Sequence, residues 1–430
     1  MAGVFETNRC NVMDKVKVVW ICHFSNVQVR KRLRFKRWSP LSFLRRLRGQ
    51  MNLSDFAVWN TNAIREFEKF KDVELHIIAP YYNISGIQEF EINSITYHFF
   101  EPEDDNLLSI IKLKVQNKIK TAYDQNTKVI NELIVKIKPN IIHLIGAENP
   151  YYGESVLKLS NNIPLIVSLQ TLMNDPNFYK NYPITKELYD YRASLEAEII
   201  KRADYIGSKV ETFRNIIKEL IHPSANFLDI NLALGEDITI VQVDKLYDFV
   251  YFAADISKAV DYAIEGFAIA KQSFPNITLH IVGGYSESYM QTLRNRMLEL
   301  GLGNEVDFTG KLQTHDDVLA EIRKAKFALL PLKVDLIAGT IREAISNGLP
   351  VVTTMTPATP LLNEKRESVL LSEIGDFAKM AENMCRLMTD AAFAHQLSIN
   401  AVKTIEERYS NATSMREWRD CYYAILNNER

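Results

Sequence analysis

Two carboxylates, Asp335 and Glu343, stand eight positions apart in the stretch DLIAGTIREAISNGLPVVTT at 335–354. Between them Gly339 and Thr340 lead from a loop into a short helical pattern, with Ile341, Ala344 and Ile345 on its inward face. The first amides of a helix have no intrahelical partner, so those near Thr340 and Ile341 suit a phosphate. Glu343, one turn in, can accept two hydrogen bonds from a vicinal diol such as a ribose. Asp335, on the approach, can hold the hydroxyls of a second ring. One loop of this design grips sugar, phosphate and ribose together. A plainer reading stands beside it: an acid in the first helical turn is favoured by the helix dipole alone, and aspartate is common in loops.

Such a loop needs a strand before it and a strand after it. Residues 329–332 are strand-like, which puts Asp335 at a strand's carboxyl end. Gly348 suits the C′ position of the helix, and Pro350 stops it before the β-branched run that follows. Similar alternation fills the chain. VKVVWIC at 16–22, VELHIIAP at 73–80, IIHLIG at 141–146 and PLIVSL at 164–169 read as buried strands. Helical patterns at 56–70 and about 105–137 separate them, and 87–101 alternates like a hairpin at a sheet edge. A second series begins at 248 with DFVYFAA and continues through ITLHIVGG, VDFTG, FALLPL and PVVTT. The expectation is an α/β chain of two doubly wound halves joined near 232–247. A loose leader covers 1–13. The facing sheets would form a cleft at the carboxyl ends of their strands, where open α/β sheets take ligands.

Bulk properties narrow the function classes. At 430 residues two domains are expected, and 47% hydrophobic with 24% charged residues is ordinary for a globular protein. The four cysteines (Cys10, Cys22, Cys385 and Cys421) lie far apart without metal-ligand spacing, which points to a reducing compartment. No apolar run reaches the length of a membrane span and the first residues are too polar for a secretory signal, so a cytoplasmic location is expected. The formal net charge is −2, yet residues 30–48 hold nine basic residues and no acid. No P-loop and no His/Cys cluster occurs, and GG at 283–284 reads as a turn.

Pro331, Asp335, Glu343, Gly348, Pro350, Val351 and Val352 fall in the register Pro, three residues, acid, seven residues, Glu, helix, Gly-x-Pro-Val-Val. This resembles the retaining glycosyltransferases of the GT-B fold, specifically glycosyltransferase family 4, the group 1 transferases. NITLHIVGG, VDFTGKL and the helix after Tyr409 extend the resemblance over about 248–425. It implies an N-terminal Rossmann-like acceptor-side domain at 14–240, a nucleotide-sugar donor domain at 241–410, and a final segment, 411–430, crossing back onto the first. It further implies metal-independent transfer of a sugar from a nucleotide donor to a hydroxyl of a glycan or lipid-linked acceptor, with retention, as in cell-surface polysaccharide assembly. The donor would rest on Asp335, Gly339, Thr340, Ile341, Glu343 and Lys258, with no cofactor. Asp335, Glu343 and Lys258 would also serve the reaction itself.

The sequence departs from the family at four places. The first Glu of the motif is Asp335, one methylene shorter. Ala253 stands where an Arg is usual, five residues before Lys258, which otherwise reads as a solvated residue at a helix start. Gln170 replaces a His after PLIVSL, and a glycine-rich first loop gives way to VQVRKRLRFKRWSPLSFLRRLRG. A sugar-nucleotide epimerase of the same fold and a non-catalytic partner of a glycan-assembly complex therefore stay open.

The basic insertion at 30–48 interleaves cations with Leu33, Phe35, Trp38, Phe43, Leu44 and Leu47. It suits an anionic membrane surface, as at the inner face of a cell membrane, or a lid over bound donor. Nucleic acid fits less well, because no basic track continues elsewhere. Glu148, Asn149 and Gln170 are acceptor-side candidates. His143 reads first as a hydrogen-bonded core histidine.

Overall fold

The computed structural model describes residues 15–36, 55–103, 122–176, 178–181, 184–233, 238–253, 258–333 and 339–428. The leader, Asp335, residues 37–48 of the insertion and the first part of the 105–137 segment lie outside the described residues.

Strands β1 (Val16–Ile21), β2 (Val73–Pro80), β3 (Gln88–Ile92), β4 (Ile95–Phe100), β5 (Ile141–Ile145), β6 (Leu165–Ser168), β7 (Tyr205–Gly207) and β8 (Phe227–Leu228) form one sheet in the order β3-β4-β2-β1-β5-β6-β7-β8. All neighbours are parallel except β3 and β4, the antiparallel hairpin that closes one edge. Every residue of β5 and β6 is buried. That is why they appear in the sequence as unbroken apolar runs: a parallel strand is covered by helices on both faces. By contrast β7 and β8, three and two residues long, are too short to leave a periodic signal and were not anticipated.

A second sheet comprises β9 (Tyr247–Phe252), β10 (Leu279–Val282), β11 (Val306–Gly310), β12 (Ala325–Leu330), β13 (Val351–Thr354) and β14 (Leu370–Ser372). Its order is β11-β10-β9-β12-β13-β14 and all its pairs are parallel. Two parallel sheets, each doubly wound, make this a GT-B architecture.

The terminal helix, Asn411–Asn428, follows the second sheet in sequence but completes the core of the first. Met415, Trp418, Tyr422 and Ile425, spaced 3, 4 and 3 residues apart, are at most 2% exposed. They pack with Trp20 and Phe67. Trp418 Nε1 donates to Asn231 O at 2.7 Å, Trp20 Nε1 donates to Tyr422 Oη at 2.9 Å, and the Arg419 guanidinium holds Asp72. His143 is a core histidine, wedged between Tyr422 Oη and Ser168 Oγ at 2.7 Å each. Burial pushes its imidazole down to about 3, so it stays neutral.

Candidate active site

The C-terminal wall of the cleft begins where β12 ends. Thr353 Oγ1 donates to Leu330 O (2.7 Å), and Thr354 Oγ1 bonds both the N–H and the carbonyl of Leu332 (2.7 and 2.6 Å). The threonines of PVVTT thereby fix the strand end from which the loop carrying Asp335 departs. The next helix spans Gly339–Ser346. It ends as its sequence requires. Gly348 takes φ +78°, its N–H bonds Ile345 O at 2.8 Å, and Leu349 N–H bonds Ala344 O at 3.0 Å, which together satisfy two terminal carbonyls.

Ile341, Ala344 and Ile345 face the core, at no more than 1% exposure. Gly339 and Thr340 are partly exposed at the helix start. Glu343 is 9% exposed, with Oε1 lying 3.9 Å from His315 Nε2. A glutamate present only to complement the dipole would have no reason to leave water. Lys258 immediately precedes Ala259, which has φ 58° and opens the helix Val260–Ser273, and its carbonyl accepts from Tyr251 Oη at 2.9 Å. Ala253 sits at the end of β9, its carbonyl accepting from Tyr285 Oη at 2.7 Å. A cation that sequence reasoning passed over lies nearby: Lys333, on the loop after β12, pairs with Asp261 at 2.6 Å and covers the Tyr262 ring. Its place inside the 331–335 motif was the available signal.

The N-terminal wall is built at the carboxyl ends of β1, β5 and β6. Glu148 Oε1 accepts from Asn149 Nδ2 at 2.7 Å and from the Gln170 amide at 3.0 Å, while Gln170 accepts from Trp59 Nε1 at 3.1 Å. So the three acceptor-side candidates from the sequence are in mutual contact. Glu148 Oε2 is shielded from solvent and has no hydrogen-bond partner among the described residues. Burial raises the Glu148 carboxyl to about 7, against smaller opposing help from its hydrogen bonds and Arg192. Tyr152 Oη donates to Ile145 O (2.9 Å), accepts from Asn149 Nδ2 (3.0 Å) and meets His23 Nδ1 at 3.1 Å. Burial pushes His23 down to about 4, leaving a neutral ring stacked on Phe56. His23, Trp59 and Tyr152 were not singled out from the sequence; only the position of His23, directly after the first strand, could have marked it. Gly146, at φ +93°, makes the cluster possible, since a Cβ there would fall 2.8 Å from Tyr152 Oη and 3.0 Å from Glu148 Oε1.

Among the described residues, the two walls meet at Asp55 and the segment 313–315. Asp55 N–H donates to Gln313 O and Asp55 Oδ2 accepts from His315 N–H, both at 3.3 Å, and Asp55 also pairs with Arg30 at 2.7 Å. The start of the basic insertion is thereby joined to His315, whose ring faces the Glu343 carboxylate. Farther along, Lys31, Arg32 and Arg34 are exposed and Lys36 pairs with Glu101. Among the described residues, no group of three or more His, Cys, Asp or Glu is placed to hold a metal ion, and no helix is long and apolar enough to cross a membrane.

Comparison with known proteins follows this geometry. Residues 248–390 match the family profile Glycosyl transferases group 1. N-acetyl-alpha-D-glucosaminyl L-malate synthase of Bacillus anthracis is 22% identical over 251 residues, covering 54% of this chain. The alignment spans 62% of that relative's length. The fold is similar to sucrose-phosphate synthase from Thermosynechococcus elongatus (TM-score 0.67, 14% identity, 96% of this chain and 100% of that one). It is also similar to Anabaena Alr3699/HepE, solved in complex with UDP and glucose (TM-score 0.64, 12% identity, 95% and 100%). An alpha,alpha-trehalose-phosphate synthase (UDP-forming) from Burkholderia vietnamiensis aligns with a TM-score of 0.63 at 11% identity over 96% and 100% of the two chains.

Proposed function

Because residues 248–390 form a glycosyl transferases group 1 domain within a GT-B architecture, we propose that this protein moves a sugar from a nucleotide-sugar donor to an acceptor hydroxyl, retaining anomeric configuration. The observation that carries the reading is the buried Glu343, one turn into a helix whose amino end opens at a strand's carboxyl edge. In this reading the amides of Gly339–Ile341 and Lys258 take the charge that develops on the departing diphosphate. Glu343 holds the ribose and Asp335 orients the donor sugar; neither acts as an acid–base pair. Glu148, Asn149 and Gln170 receive the acceptor, a glycan or lipid-linked saccharide. Retention and the acceptor class rest on the family resemblance.

No metal enters this scheme, so transfer should persist in excess EDTA. Activity lost to chelator and restored by Mn²⁺ or Mg²⁺ would count against it. The insertion at 30–48 is assigned to an anionic membrane surface, which makes the protein peripheral on the inner face of the cell membrane. Replacing Arg45, Arg46 and Arg48 with Gln should then reduce co-sedimentation with anionic vesicles, and raising salt from 0.1 M to 1 M should do the same, because the Debye length falls from about 10 Å to about 3 Å. Equal pelleting of wild type and variant would remove the membrane role.

The central test is a thermal-shift screen of nucleotide sugars, started with UDP-sugars because HepE was solved with UDP and glucose. Turnover of the stabilising donors with saccharide acceptors follows, with the product anomer read by NMR. A folded protein that neither binds nor consumes any nucleotide sugar would refute the assignment.

A further inference from the structure

A cavity of about 510 Å³ lies between the two halves, and none of the described residues assigned above to donor or acceptor lines it. Its walls include Ser208, Asn231 and Leu232 after β7 and β8, Arg342 of the helix Gly339–Ser346, Leu361, and Tyr409, where the chain turns back toward the terminal helix. An occupant would therefore touch both halves of the protein. The size is that of a site for a small organic molecule.

The charges around it are unevenly matched. Every carboxylate on the wall already has a cation. Glu417 pairs with Lys209 (2.8 Å), Glu364 with Arg408 (2.6 Å), Glu407 with Arg366 (3.0 Å), and Asp229 with Arg214. Lys209 and Arg408 are consumed in those pairs. Arg342 is not: it is 3% exposed, has no ion pair among the described residues, and its Nε is buried without a hydrogen-bond partner. Among the described residues its guanidinium makes a long contact from Nη1 to Leu232 O, at 3.5 Å. The guanidinium lies over the Tyr409 ring, 4.6 Å from its centroid. Burial pushes it down to about 10, the sign of a cation that lacks compensation. A buried, unpaired charge is costly, and the planar fork of arginine matches two oxygens of a carboxylate or phosphate. Arg342 also follows the helix about 100° round from Glu343, so it serves a different face from the proposed ribose contact.

We infer that this cavity is an anion site, in which Arg342 receives the phosphate or carboxylate group of a small organic ligand that bridges the two halves. The inference does not depend on the reaction proposed above. Arg342 is a binding residue here, with the Tyr409 ring packed against its guanidinium.

Calorimetry on the full chain tests it, with inorganic phosphate and, separately, acetate titrated against chloride at constant ionic strength. Wild type should bind at least one of them saturably, and R342L should weaken that binding at least tenfold. L361W adds bulk from a half-buried turn position without altering Arg342, and it should weaken binding likewise; it decides the matter if R342L does not fold. Absence of saturable binding by wild type, or equal affinity in wild type and a folded variant, overturns the site. Transfer kinetics then identify the source of the anion. Phosphate that raises the KM of one substrate at constant kcat displaces that substrate's own anionic group, whereas phosphate that alters kcat alone marks a separate effector.

Discussion

At the carboxyl ends of β1, β5 and β6, His23, Glu148, Asn149, Tyr152 and Gln170 form a shielded cluster held near neutrality, whereas the loops of the C-terminal sheet present a helix amino end, a lysine–aspartate pair and a carboxylate beside a histidine. In the first wall His23 is kept neutral and Glu148 is poised near neutrality, both because burial penalises charge. In the second, Lys333 and Asp261 face each other as ions, and the amides of Gly339–Ile341 add the positive end of a dipole. The difference matches what each wall is proposed to handle. A hydroxyl is recognised by neutral hydrogen-bonding groups of fixed position, while a diphosphate requires permanent positive charge. It also means that the two walls should respond differently to substitution and to pH.

The largest expected effect is on the charged wall. Glu343→Ala should weaken the affinity for the donor nucleotide by a charge-assisted contact of roughly 1.5–3 kcal/mol, about 10- to 150-fold. Thermal stability should change little. Calorimetry with the nucleotide that the donor screen selects provides the check. Unchanged affinity in a folded variant would return Glu343 to the role of a buried helix residue with a histidine neighbour, and the asymmetry between the walls would lose its functional meaning.

Much of this architecture is legible in the sequence, and the exceptions share a physical cause. Parallel strands buried on both faces advertise themselves as apolar runs, β3 shows the period of two of a hairpin's outer strand, and Gly348-Leu349-Pro350 spells a helix end. Glu148, Asn149 and Gln170 could be named because they follow strands directly. What escaped notice depends on contacts between distant segments. Trp59 reaches Gln170 from a helix more than a hundred positions away, and Asp55 meets His315 across 260 positions. Arg342 looks like a solvent-facing helix residue until Tyr409 is laid over it. No local period encodes such encounters. Asp335 and most of the basic insertion remain assigned by sequence.

A second, smaller effect would sharpen the comparison through pH. The Glu148 carboxyl is raised from 4.5 to about 7 in the folded state, so the fold prefers it protonated. Its contribution to stability is full below about pH 4.5 and is lost as pH rises through 7. Glu196, raised to about 8 by burial, acts in the same direction, while the lowered His23 and His143 act oppositely, costing stability as pH falls below 6.5. Glu148→Gln isolates one group from this sum. Between pH 5 and pH 7 the stability difference between wild type and variant should move by about 2 kcal/mol, to the disadvantage of wild type. Urea titrations at the two pH values measure it. A difference that does not change with pH would mean that water reaches Oε2 and that the N-terminal wall is not shielded.

Two glycines, one on each wall, extend the comparison to the backbone, and the order of their effects is itself the prediction. Gly348 has φ +78°, and a Cβ there would meet Ile240 at no less than 3.4 Å, an ordinary contact. Gly348→Ala therefore bears only the left-handed backbone penalty, about 1 kcal/mol. Gly146 has φ +93° and no such room: its Cβ would approach Tyr152 Oη, Glu148 Oε1 and the Gln170 amide carbon at 2.8, 3.0 and 3.1 Å. The same backbone penalty is then joined by displacement of three hydrogen-bonded side chains, and the total should reach about 2 kcal/mol or more. Denaturant midpoints rank the two variants. Kinetics separate their consequences: Gly348→Ala should leave transfer intact, because the helix that carries Glu343 is fixed by its buried face, whereas Gly146→Ala should raise the KM for acceptor with little change for donor. Equal costs in stability, or a donor defect in Gly146→Ala, would show that the neutral cluster tolerates rearrangement and that the walls are less specialised than their chemistry indicates.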